Sequence, residues 1–196
     1  MNAGETAGGP ANPADYRRHY RFTSAEYEAM IEAGILGKYH KVELIDGYVL
    51  ELEQYTYELD TVANRAMELF FDLDRREYAA MIKATLHVGE GFVPDPDYWL
   101  TRRGDRLRFP QTEDILLVLE VAEESLRFDL EVKAGLYARA GVAELWVIDL
   151  PRRVLHRFTG PAPDGYQEHT VLTEDEELTP VKVPGKTLRV RDLLDG

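Results

Sequence analysis

The chain has 196 residues, 44% of them apolar, which suits one domain with a core that needs no covalent staples. There is no cysteine, so disulfides and thiolate metal sites are excluded, which fits a cytoplasmic protein; no apolar run is long enough to span a membrane, and no export signal is expected. A formal net charge of -13 argues against a general nucleic-acid coat, which needs surplus Lys and Arg, but is compatible with a nuclease whose metal-holding acids add negative charge.

Residues 1–15, rich in Gly, Ala, Pro and Asn, read as a disordered leader. Thr23 and Glu26 have capping-box spacing and predict a helix from Ser24 to Ala33, with Tyr27, Met30 and Ile31 on its apolar face and Gly34 as its stop. Lys41 to Leu44, Asp46-Gly47 and Tyr48 to Leu52 read as a β-hairpin, because Asp-Gly tolerates the positive φ of a tight turn. Val62, Ala66, Leu69, Phe70 and Leu73 recur at helical spacing and predict a helix from Leu59 to Leu73. Strands are expected over Met81–Val88 and Tyr98–Leu100, then a polar excursion over Thr101–Glu113. Ile115 to Val121 is apolar on both faces, as a central covered strand should be. A helix from Leu130 to Ala140, stopped by Gly141, and a strand from Glu144 to Leu150 complete a βαβ crossover with parallel neighbours. Val154–Phe158 and Tyr166–Leu172 read as an antiparallel addition, and Val190–Leu194 as a short last helix. Arg102 to Arg108 and Arg152-Arg153 are the dense basic clusters, read as solvated loops.

Three residues suggest chemistry. Glu120 lies flush against Ile115-Leu116-Leu117-Val118-Leu119, where a carboxylate is costly to bury unless it is paired or metal-bound. Asp97 precedes Tyr98-Trp99-Leu100 at a strand start, with Asp95 as its competitor. Lys133 shares a helical stripe with Leu136, Tyr137 and Ala140, an apolar face on which a lysine needs a waiting carboxylate. The blander alternative is an Asp129–Lys133 pair on a solvated face, worth about 0.2–0.5 kcal/mol, with Asp129 as helix N-cap. Two carboxylates can hold Mg²⁺, which prefers oxygen ligands, and a lysine can steady a developing oxyanion. Glu43, Glu123 and Glu124 are weaker candidates. The sequence has no glycine-rich phosphate loop, no HxH or HExxH spacing and no GxSxG elbow.

The segments Val42–Gly47, Val93–Leu100 and Leu116–Leu150 closely resemble the Uma-type "putative restriction endonuclease" family of the PD-(D/E)XK nuclease superfamily, over roughly residues 20–175. The resemblance implies an α/β restriction-endonuclease-like core over residues 16–196: a mixed central sheet flanked by helices, with an antiparallel C-terminal addition. It implies that Asp97 and Glu120 bind a divalent metal, Mg²⁺ with Mn²⁺ as a substitute, and that Glu43 is a further, weaker ligand. It implies that Lys133 stands in for the lysine two residues after the acid, a position held here by Ala122, so the E-x-K tripeptide is broken. Relatives carry a histidine early in the helix that begins near Leu59-Asp60, and this chain has none there. The expected activity is Mg²⁺-dependent hydrolysis of DNA; a homodimer is compatible with it, since cutting both strands of a duplex favours two-fold symmetry. The alternatives are a catalytically inactive nuclease-fold module that binds or regulates, and a hydrolase of RNA or small phosphoesters.

Overall fold

The computed structural model describes residues 19–37, 41–51, 56–73, 75–103 and 110–195. The expected leader, Leu52 and the basic stretch Gly104 to Arg108 lie outside the described residues. In chain order come helix α1 (Ser24–Glu32), strands β1 (Val42–Ile45) and β2 (Tyr48–Glu51), helix α2 (Tyr57–Leu69), and strands β3 (Tyr78–Ile82), β4 (Tyr98–Arg102) and β5 (Ile115–Ala122). A helical segment follows in three parts: α3 (Leu126–Phe128), a π-helical stretch (Asp129–Lys133) and α4 (Ala134–Ala140). The chain continues through β6 (Glu144–Asp149), β7 (Val154–Ala162), β8 (Gly165–Thr173), β9 (Glu177–Leu178), β10 (Leu188–Arg189) and α5 (Val190–Leu194).

Six strands form one mixed sheet in the order β3-β4-β5-β6-β7-β8. Only β5 and β6 run parallel, joined by the helical crossover; the other neighbours are antiparallel. Every residue of β5 and β6 is buried, which accounts for their near-continuous apolar sequence. Leu117, Leu119 and Val121 pack on one face with Trp146 and Ile148, in a core shared with α2 and α5. Val118 and Ala122 pack on the other face with Val147, Ala134, Leu136 and Tyr137, under α4. Side chains along a strand alternate, so Glu120 falls on this second face, under the crossover helix.

Several boundaries follow the sequence reading. The Thr23–Glu26 capping box forms in both directions, with Thr23 Oγ1 accepting from the Glu26 N–H (3.1 Å) and Glu26 Oε2 from the Thr23 N–H (2.9 Å). The hairpin turn has positive φ at both Asp46 (51°) and Gly47 (78°). Gly141 ends α4 in the left-handed conformation, φ 88°.

The strand expected over Met81–Val88 is displaced. Its pairing runs over Tyr78–Ile82 and stops at Lys83, whose φ of 46° breaks the pleat. Leu86 and Val88 are buried by packing in the core beneath the crossover rather than by strand pairing, and the Leu86 N–H donates to the Pro94 carbonyl (2.9 Å). Alternating burial alone therefore mimicked a strand. The crossover helix starts earlier than Leu130, at Leu126. β7 continues to Ala162 and β8 begins at Gly165, so both strands run beyond the expected Val154–Phe158 and Tyr166–Leu172 and meet at a tight turn over Pro163-Asp164.

Candidate active site

Strand register assembles the site. Tyr98 on β4 faces Leu119 on β5, the last pair of this antiparallel ladder, which brings Asp97, just before Tyr98, alongside Glu120, just after Leu119. The Asp97 Oδ2 accepts from the Val121 N–H at 2.8 Å, which pins the carboxylate against the neighbouring strand. The crossover helix then lowers Lys133 and Tyr137 onto Glu120. Lys133 Nζ lies 3.4 Å from Glu120 Oε1, and the Tyr137 hydroxyl donates to the same oxygen at 2.7 Å. Glu43 arrives from β1: its Oε1 is 3.1 Å from Lys133 Nζ, and its Oε2 accepts from the Asp95 N–H at 3.3 Å. Asp129 completes the ring, with Oδ1 3.9 Å from Lys133 Nζ and Oδ2 accepting from the Ser125 hydroxyl at 2.8 Å.

Charge is concentrated here on buried side chains. Glu43, Asp97, Glu120, Asp129 and Lys133 are all buried, Lys133 at 5% exposure. Burial pushes the Asp97 carboxyl up to about 6, against the pull of the Val121 N–H, Lys83 and Lys133. Burial pushes Glu120 up to about 8; Lys133 pulls it back, while Asp129, Asp97 and Glu43 push it further up. For Lys133, burial acts to lower the ammonium, but Glu120, Glu43 and Asp129 outweigh it and hold it charged far above its ordinary range. Burial, then the Glu120 carboxylate, raises the Tyr137 phenol well above its usual value, so it serves as a donor.

These groups line a cleft of about 660 Å³, whose acids, including Glu51, Glu124 and Glu131 at its edges, outnumber Arg127 and Lys133. Asp97 and Glu120 present the hard oxygens that Mg²⁺ takes, and two carboxylates suffice for an ion that keeps much of its water. The Asp97 Oδ1 and Glu120 Oε2 stand outside the hydrogen bonds just described. Among the described residues no three acids or histidines are arranged as a complete metal cage.

Asp97, Glu120, Lys133 and Glu43, singled out from sequence, thus converge, and the solvated-face alternative for Lys133 is overturned by its burial among three carboxylates. Glu123 and Glu124 are exposed. Asp129 is not an N-cap: the helix already runs from Leu126, and Asp129 lies inside it in the π-helical stretch, a feature frequent at functional sites. Tyr137 went unrecognised as a polar partner. Spacing carried the missed signal, since Asp129, Lys133 and Tyr137 are each four residues apart on one side of a helix. Leu59, near the start of α2, lines the cleft in the region where relatives are expected to carry a histidine. Arg152 and Arg153 are engaged in ion pairs with Asp149, Glu174 and Asp195 rather than forming an open basic strip.

A six-stranded mixed sheet with a parallel βαβ crossover at its centre defines an α/β protein. The chain belongs to the Uma2 family, whose description reads "Putative restriction endonuclease" and whose model matches residues 24–191. A crystal structure of a protein from Anabaena variabilis, described as "a putative nuclease belonging to DUF820", is similar with a TM-score of 0.68 over 88% of this chain and 97% of that one. At 13% identity that likeness establishes the fold alone. No curated protein matches the chain by sequence. Among the described residues no helix is long and apolar enough to cross a membrane.

Proposed function

We propose that this protein is a Mg²⁺-dependent endonuclease that hydrolyses DNA phosphodiester bonds in the cleft beside Glu120. The observation that carries this reading is the meeting of Asp97, Glu120 and Lys133, from two strands and the crossover helix, at the floor of one cleft. In this reading Asp97 and Glu120 hold the ion. Bound there, Mg²⁺ would polarise the phosphoryl oxygen and acidify a water. Lys133, held charged by its carboxylate neighbours, acts as a fixed cation toward the pentavalent oxyanion rather than as a base. Glu43 and Asp129 orient Lys133, and Tyr137 fixes the Glu120 carboxylate. The excess of acids in the cleft supports metal dependence, because a phosphodiester approaching it needs added positive charge.

The test is metal titration of purified protein on plasmid DNA, with RNA and small phosphoesters as competing substrates. Asp97→Ala, Glu120→Ala and Lys133→Ala should each lose cleavage; equal residual cleavage in all preparations would mean a contaminant. One observation favours a second reading, a non-catalytic module. Lys133 Nζ already stands among three carboxylates and could take the place of the ion. Calorimetry separates the two: heat of binding with Mg²⁺ or Mn²⁺ supports the enzyme, and none at millimolar metal supports the module.

A further inference from the structure

The first cleft has a neighbour. Asp95 lines both it and a second cleft of about 720 Å³, whose walls include Tyr27, Ile31, Lys41, Lys83 and His87. The two differ in charge. In the second cleft Lys41 and Lys83 stand against Glu28, Glu32 and Asp95, a far smaller acidic excess than in the first.

Lys83 is set beside the acids. Ile82 on β3 faces Tyr98 on β4 at the last pair of that ladder, and Lys83 and Asp97 lie directly beyond it. The Lys83 N–H donates to the Asp97 carbonyl at 3.1 Å. Lys83 is thus tied by its backbone to Asp97, whose carboxylate is in turn held by the Val121 N–H next to Glu120. Lys83 also holds φ at 46°, a left-handed conformation that glycine adopts freely and lysine does not. A costly backbone on a charged residue beside a cleft points to a role for the side chain that glycine could not fill.

That side chain is held differently from Lys133. Lys133 is buried and shared among three carboxylates. Lys83, its own side chain 15% exposed, pairs with Asp60 in the first turn of α2, whose side chain is 51% exposed, and a phosphate can compete for that pair. Lys83 also acts on the Asp97 carboxylate more strongly than Lys133 does.

We propose that the second cleft is the subsite for the nucleotide flanking the scissile bond, and that Lys83 is its phosphate contact, parked on Asp60 until substrate arrives. This rests on the nuclease reading. The experiment compares wild type with Lys83→Gly, Lys83→Arg and Asp60→Asn. It measures cleavage kinetics, binding of a short DNA duplex against salt concentration, Mg²⁺ affinity by calorimetry, and melting temperature. Lys83→Gly should raise KM about 10-fold, more than it lowers kcat, and reduce the salt slope of binding by about one. It should leave Mg²⁺ affinity unchanged and keep or raise the melting temperature, since glycine relieves the backbone. Lys83→Arg should restore KM and the slope, and Asp60→Asn should lower KM. Wild-type KM and salt slope in Lys83→Gly would overturn the proposal, as would a lowered melting temperature with lost Mg²⁺ affinity, the mark of a structural residue. Wild type that neither binds nor cleaves DNA would overturn the nuclease reading and this inference with it, an outcome visible before any variant is made.

Discussion

Glu120 and Glu144 are buried acids on neighbouring parallel strands, yet their surroundings are opposite. Glu144, fully buried on β6, accepts from the Trp146 indole (2.8 Å) and the Arg157 guanidinium (2.7 Å) on Oε1, and from the Val181 N–H (2.6 Å) on Oε2. One arginine answers one carboxylate, and donors occupy both oxygens. Glu120 shares a single lysine with Glu43 and Asp129, has Asp97 as its cross-strand neighbour, and opens onto a cleft. Burial of an acid is thus no mark of a functional site. Excess charge of one sign, held rigidly beside open space, is the more telling sign.

The sharpest way to break this comparison is to neutralise each acid. Glu120→Gln should cut DNA cleavage by at least about 100-fold while leaving thermal stability equal or higher, because Gln stands in for the neutral carboxyl that burial and the neighbouring acids favour. Glu144→Gln should do the reverse, keeping the site but costing about 3 kcal/mol in a denaturant titration, since Arg157 loses its counterion. Similar behaviour of the two variants would remove the distinction.

The second effect is on pH. The Glu120 carboxyl is raised from 4.5 to about 8 in the fold, so between those values the folded protein holds a proton that the unfolded chain has released. Stability of the metal-free protein should therefore fall as pH rises through that window, by roughly 1 kcal/mol per pH unit for one proton. Asp97, raised from 3.8 to about 6, adds to the slope at its lower end. Melting curves in chelator from pH 4 to 9 would measure it, and Glu120→Gln should flatten it. Saturating Mg²⁺ should reverse the trend, because the ion competes with that proton.

Smaller effects sharpen the picture. Tyr137→Phe removes a donor to the charged form of Glu120 and should cost about 2 kcal/mol. It should also move the acidic limb of the pH–rate profile upward. Arg127→Ala, which breaks only the exposed pair with Glu131, should change stability by less than about 0.5 kcal/mol, and a larger loss would assign that residue a role at the cleft mouth.

Much of this was legible along the chain because its causes are local. Apolar runs wrote the two central strands, Asp46-Gly47 wrote a turn that needs two positive φ values, and Gly141 wrote a helix end. A carboxylate among five apolar neighbours announced Glu120, and a lysine on an apolar stripe announced Lys133. Asp129 was misread because helix propensity gave no reason to begin at Leu126, and an acid ahead of an apolar stripe looks like a cap. Tyr137 passed as core because a tyrosine on an apolar face is indistinguishable from one until its hydroxyl has a partner.

The amino-acid order alone showed that Glu120 and Lys133 would need partners if buried, because burying a charge is costly wherever it happens. Which partners they found was decided in three dimensions. Asp97 comes to Glu120 through the pairing of β4 with β5, Glu43 reaches Lys133 from a hairpin far upstream, and Lys83 meets Asp97 by a backbone hydrogen bond just past the end of β3. Strand register is fixed by packing over the whole sheet, and no short stretch of chain encodes it.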